Sequence, residues 1–405
     1  MKLIRISPER DYLLMPDLIW DGVSDGLTGG LAVYISRGII SRLIPVGTLC
    51  ENTLDNLELV NLKGLTLMPG LVDCHVHLAM NGVNLFQAIN DWEKRLGDVM
   101  EKAFHAAWDY LANGVLAVRD GSDKMNIGLQ VRDAIRNEET PGPAVVACGR
   151  AVYKKGMYGS FLGPGVRSVR DAPEQVEMLH AEGIDQLKVV VSGLVSFKEF
   201  GVVGPVQFTA PDLRAIIDKA HGLGLKVMAH ASSGQSVATA VRAGVDSVEH
   251  GYFMASAQLA LMAAAGTAWV PTLAPLGNLI FRNHLPYEGA DMDVIRRSFD
   301  LQLARVAEAH ARGVLLGIGT DAGANHVEHG FSYHDELRYF SMAGLDNLAV
   351  LRLAAGNSAD IIGKGHEMGG ICPGKKPYLI AFPGDPLKSL DVLRKPELAV
   401  IPSFH

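Results

Sequence analysis

The chain has 405 residues, with 37 Lys and Arg against 44 Asp and Glu, giving a formal charge of −7 at pH 7. That acidic balance, with no basic stripe, argues against a nucleic-acid partner. Hydrophobic residues at 48% and charged residues at 20% describe an ordinary soluble globular chain. The cysteines Cys50, Cys74, Cys148 and Cys372 are scattered without a CxxC pair, which fits a reducing, cytoplasmic setting and no disulfide framework. The first ten residues contain no apolar core of a secretory signal.

Residues 1–62 hold short strand-like runs, such as 31–35 and 38–44, separated by Gly, Asp and Pro turns. Segment 69–78 reads PGLVDCHVHL, entered from the apolar run 65–68. As a buried strand it points Asp73, His75 and His77 to one face and Cys74 to the other, where Cys74 packs. Two imidazoles on one face at a strand end can close on a single divalent cation.

Further strand-like runs follow near 115–120, 144–149, 186–192, 225–230, 246–250, 268–273 and 314–320. Helical patterns at 99–111, 173–182, 211–221 and 293–311 alternate with them, with Thr209 as a cap and Pro211 in a first turn for one of them. Lys188 lies in the fourth run, His230 and His250 end the next two, and Asp321 follows the last. Candidate ligands at the ends of successive strands are the layout of a TIM-barrel active site. The stretch 251–281 has no charged residue and is long enough to suggest a membrane span. Gly266, Thr267 and Pro271 interrupt it, so it reads as a core helix over 256–265 and a strand over 268–273, with no membrane segment.

Eight βα units make a (β/α)8 barrel over 63–368 the economical reading. An open doubly wound sheet is the alternative, but no GxGxxG follows the first strand. The two ends, 1–62 and 369–405, are expected to join in a small β-sandwich domain.

The segments PGLVDCHVHL, GVLAVRD, DQLKVVVSG, AGVDSVEHG, WVPTL, GIGTDAG and HGFSYHDELRYFSMAGL, with GGICPGKKPYLIAFPGDPL in the tail, occur in the order found in the amidohydrolase superfamily. The chain resembles its imidazolonepropionase-like and Xaa-Pro dipeptidase-like branch over nearly its whole length. The resemblance implies a distorted barrel with two divalent ions, zinc being the first choice. It implies that His75, His77, Lys188, His230, His250 and Asp321 bind metal, that Lys188 is carboxylated by CO2 to bridge the ions, and that Asp321 is the general base. The residues agree with this: a lysine buried among Leu187, Val189 and Val190 loses its charge readily, and a neutral amine can take up CO2.

The sequence also departs from that branch. Tyr158 stands where many relatives carry a Gly-Gly-His-Gly histidine, and 231–234 lacks an aromatic often found after the fifth-strand histidine. Lys376-Pro377-Tyr378 replaces a usual Ala-Asp. Tyr158 and His329 are expected on the loop face beside substrate and off the metal. The expected activity is hydrolysis of an amide or other C–N bond in a small molecule: a dipeptide, an N-acyl amino acid, a cyclic amide or a carbamate. A mononuclear deaminase and a non-catalytic barrel scaffold stay open as alternatives, and so does a homo-oligomeric assembly.

Overall fold

The structure, a computed structural model, describes residues 1–49, 57–282 and 289–403. The chain opens with β1 (Lys2–Ile6), β2 (Asp11–Ile19), β3 (Thr28–Gly29), β4 (Leu31–Ser36), β5 (Ile39–Pro45) and β6 (Leu57–Pro69). Its middle holds β7 (Leu71–Val76), β8 (Val115–Asp120), β9 (Ala144–Ala147), β10 (Gln186–Val190), β11 (Lys226–Ser233), β12 (Ser247–Phe253) and β13 (Ala268–Val270). β14 (Leu379–Phe382) and β15 (Leu398–Pro402) close it.

Both chain ends meet in one mixed sheet, in the order β1-β15-β14-β6-β2-β4-β5 with β3 on β2. β1 runs parallel to β15, and β14 lies antiparallel to β6 as far as Pro69. Alternating apolar residues, among them Ile6, Leu14, Val33, Leu67, Leu379 and Val400, give this sheet its own core.

The middle strands form two parallel sheets, β7-β8-β9 and β10-β11-β12-β13. Parallel neighbours need crossover connections, and helices supply them: Leu96–Ala112, Ile127–Arg136, Ala172–Ala181, Ala210–Gly222, Gly234–Ala243 and Ser256–Ala265 each precede the next strand. β7, β8 and β10 are buried at every residue, as strands covered on both faces must be. Parallel bridges Val152–Val189, Trp269–Leu316 and Val76–Ala322 lie outside the regular ladders.

The expected strand at 314–320 is irregular. Its backbone bonds to both neighbours, with Trp269 N–H donating to Leu315 O and Cys74 N–H to Ile318 O. Side chains take two of its donors: Ile318 N–H reaches Ser358 Oγ and Thr320 N–H reaches Asp73 Oδ1. Gly317 and Gly319 leave no room for a Cβ, so close packing replaces a regular ladder here.

The uncharged stretch resolves into helix Ser256–Ala265, β13 and a second helix, Ala274–Phe281, where the sequence reading extended the strand to 273. Buried Glu336 accepts the N–H groups of Leu273 and Ala274 and so starts that helix. Thr209 caps helix Ala210–Gly222 by accepting from Asp212 N–H. Among the described residues no helix is long and apolar enough to cross a membrane. Cys74, Cys148 and Cys372 are free thiols, and Cys50 lies outside the described residues.

Candidate active site

β7 ends at Val76, so it carries His75 in its last turn of pleat and delivers His77 just beyond it. β10, β11 and β12 bring Lys188, His230 and His250 to the same place, and the irregular run ends at Asp321. Ligand atoms of His75, His77 and Asp321 all lie within 4.8 Å of one another. Asp321 Oδ1 stands 3.6 Å from His75 Nε2 and 3.5 Å from His77 Nε2. The rings of His230 and His250 pair at 4.5 Å, and His250 lies 4.9 Å from His75. Lys188 Nζ, 3.4 Å from His75 Nε2, joins the two groups.

Burial sets the protonation of these residues. It holds His77 and His230 down at about 3 and His75 and His250 well below the usual imidazole range, so all four are neutral near pH 7. Burial also lowers Lys188, favouring the free amine, and raises Asp321 to about 7.

The ring tautomers are fixed from behind. Glu249 Oε2 lies 2.8 Å from His75 Nδ1, and the Ser122 carbonyl lies 3.1 Å from His77 Nδ1. Both oxygens can only accept, so both Nδ1 atoms carry the proton and both Nε2 lone pairs face the site. Thr272 Oγ1 holds His250 Nδ1 at 2.8 Å. His230 is turned the other way, with Nε2 at 3.5 Å from Gly193 O.

Four residues of this cluster take left-handed backbone: His250 at φ +70°, Asp321 at +59°, Ser122 at +88° and Thr272 at +52°. Each such conformation costs on the order of 1–3 kcal/mol in a residue with a Cβ, and they gather where function requires a particular aim. Two are candidate ligands and two hold ligand rings.

The residues fit divalent metal. Neutral imidazoles, a carboxylate and an amine are suitable donors. Gly121 leaves a hollow against them, since a Cβ there would sit 2.9 Å from His77 Cε1 and 3.2 Å from both Nε2 atoms.

A cavity of about 320 Å³ opens over the cluster and is lined by all of these candidate ligands. Tyr158 lines it as expected, its ring 5.4 Å from His230 and 5.5 Å from Phe161. His329 is not among the described lining residues. Its Nδ1 is held by Tyr110 OH at 2.9 Å and its Nε2 by Met80 O at 2.8 Å, so it braces the loop after β7 instead of facing the cavity.

Sequence reasoning passed over the support beneath the ligands. Arg119 on β8 is buried and donates to Cys74 O, Gln186 Oε1, Ser247 Oγ and Glu249 Oε1. Asp73 accepts from His75 N–H, Thr320 N–H and Thr320 Oγ1, which ties the first strand to the run that carries Asp321. The available signal was a charged residue inside an otherwise apolar strand, Arg119 after Val118 and Glu249 after Val248.

Comparison with known proteins agrees with this geometry. The amidohydrolase family model matches residues 66–401. An uncharacterized protein of Mycobacterium tuberculosis is 28% identical over 344 residues, covering 83% of this chain and 84% of its own. Imidazolonepropionase of Pseudomonas entomophila is 26% identical over 378 residues, 87% of each chain. The crystal structure of a Xaa-Pro dipeptidase with bound methionine in its active site superposes with a TM-score of 0.84 at 25% identity, covering 96% of this chain and 98% of that one. The chain belongs to the amidohydrolase family and is a metal-dependent hydrolase acting on carbon–nitrogen bonds.

Proposed function

We propose that this protein hydrolyses an amide or related C–N bond in a small molecule at a two-metal centre held by His75, His77, Lys188, His230, His250 and Asp321. The observation that carries the reading is their convergence in one cavity as two groups, with Lys188 Nζ between them. Lys188, buried and disposed to be neutral, would add CO2 at Nζ with release of a proton, and the resulting carbamate would supply oxygen donors to divalent ions held here. Divalent ions bound here would lower the pKa of a water and polarise the scissile carbonyl. Zinc suits the imidazole-rich set.

Asp321 takes the proton from the attacking water as its oxygen bonds to the carbonyl carbon. It returns that proton to the nitrogen as the C–N bond breaks. Its backbone strain and its place between His75 and His77 hold the carboxylate over the reacting atoms. The same reading closes β7 to β13 and the irregular run into an eight-stranded barrel through the bridges at Val152, Trp269 and Val76. It assigns 63–368 to that barrel, and 1–62 with 369–405 to a β-domain.

The test is metal analysis of protein grown in zinc, with a hydrolysis screen over dipeptides, N-acyl amino acids, cyclic amides and carbamates. About two ions per chain and turnover of one class are expected. Lys188→Ala should lose metal and activity together, with bicarbonate or a short carboxylic acid restoring part of both. Full activity in Lys188→Ala would sink the carbamate, and one ion or none in active wild type would sink the binuclear centre.

A further inference from the structure

Among its described lining residues, the cavity above the ligands is largely apolar and has no charged side chain outside the ligand set. Beyond the six ligand candidates, its described lining is carbon-rich, with Leu85, Phe161, Val195 and Phe197 facing it. Phe86, 77% exposed, and Leu194, 54% exposed, carry that apolar character out to the mouth. The rings run in a chain that starts in the ligand cluster and leaves it on either side: Phe161 on Tyr158, Tyr158 on His230, His230 on His250 and His250 stacked on Tyr252. Among the described lining residues Lys188 is the one cationic side chain, and the metal reading commits it.

The described lining also carries the polar side chains of Asn325, Tyr158 and Tyr252, and a fourth, Ser232, is deeply buried. Ser232, 1% exposed, lines the cavity, and its hydroxyl has no hydrogen-bond partner. Its backbone N–H donates to Ser192 Oγ at 3.1 Å, which fixes the stretch of β11 that carries the hydroxyl. A buried hydroxyl left unpaired is unfavourable, and a ligand carbonyl or N–H would satisfy it.

We propose that the pocket takes an uncharged amide, carbamate or urea bearing an aryl or branched alkyl group, with Ser232 Oγ hydrogen-bonded to it. It selects against substrates with a free carboxylate beside the scissile bond. A carboxylate seated against the apolar wall, away from the ions, would shed its water without gaining a cationic side chain among the described lining residues. An aryl or alkyl group would instead bury its surface on the ring wall. This inference rests on the hydrolase reading above.

The matched pair N-benzoyl-L-leucine and N-benzoyl-3-methylbutylamine differs only by the carboxylate. Both would be titrated calorimetrically into zinc-loaded wild type and assayed for release of amine. The neutral member should bind at least tenfold more tightly and show the higher kcat/KM. Equal or tighter binding of the acid, or binding of neither, overturns the proposal. Preferential binding of the neutral member without amine release upholds the pocket chemistry and overturns the hydrolase reading alone. Ser232→Ala should weaken binding of the neutral member about five- to tenfold, the worth of one neutral hydrogen bond, with zinc content unchanged. Unchanged affinity in that variant overturns the role of Ser232.

Discussion

Replacing Glu249 with Gln should strip the site of metal by changing one proton. Glu249 Oε2 accepts from His75 Nδ1 at 2.8 Å, while Oε1 accepts from Arg119 Nη2 at 2.9 Å and from Ser247 Oγ at 2.6 Å. A glutamine of the same shape offers one oxygen and one NH2. If the oxygen faces Arg119, the NH2 faces His75 and drives the imidazole proton from Nδ1 to Nε2, the atom aimed at Asp321 and the metal. If it faces His75, two donors collide at Arg119. Loss of a histidine's orienting carboxylate typically costs about 10- to 100-fold in metal affinity, here about 1.4–2.7 kcal/mol. Arg119 and Glu249 are both fully buried, and removing one partner of such a pair costs about 3–5 kcal/mol. Because the amide oxygen still accepts, roughly 3 kcal/mol is expected for metal-free Glu249→Gln. The assays are zinc competition against a chelator and urea denaturation of the metal-free protein. Arg119→Met combined with Glu249→Gln should recover part of the stability and none of the metal affinity. Zinc affinity within threefold of wild type, with an unfolding free energy within about 0.5 kcal/mol, would refute the assignment of Glu249 as the residue that sets the His75 tautomer.

Gly121→Ala places a methyl group 2.9 Å from His77 Cε1 and should abolish metal uptake at His75 and His77 while far-UV circular dichroism stays native; stoichiometric zinc in that variant would place the metal elsewhere. Tyr158→Phe should alter kcat/KM across substrates with metal content intact, whereas His329→Ala should act through stability, losing about 1–3 kcal/mol as Tyr110 OH and Met80 O lose their partner. Glu367 tethers Lys364 and Lys376 and is held down at about 2 by their hydrogen bonds and charges, against burial that opposes this. Its folded pKa lies below the ordinary glutamate value of 4.5, so its stabilisation is present above pH 4.5 and lost as pH falls toward 2. Glu367→Gln should therefore lower stability at pH 7 by about 1 kcal/mol, allowing for solvent screening, and approach wild type only as pH falls to about 2, as read from denaturation midpoints at each pH.

What the sequence determined by itself was local and periodic. Alternation put His75 and His77 on one face, and β8, β10 and helix Ser256–Ala265 fall where apolar runs and helical spacing put them. His230, His250 and Asp321 sit where apolar runs stop, while Lys188 lies inside one, a lone charge among Leu187, Val189 and Val190. Packing across distant segments decided the rest. The run at 314–320 reads as a strand, but Ser358 and Asp73 claim its donors from elsewhere in the chain, and no local pattern announces them. His329 occupies a loop-face position in sequence, and Tyr110, 219 residues away, turns its ring inward. The left-handed backbone at His250 and Asp321, and the charge pair of Arg119 and Glu249 beneath His75, arise only once three strands are stacked. A buried charge is tolerable solely where its partner arrives from another strand, and tertiary structure alone supplies that meeting.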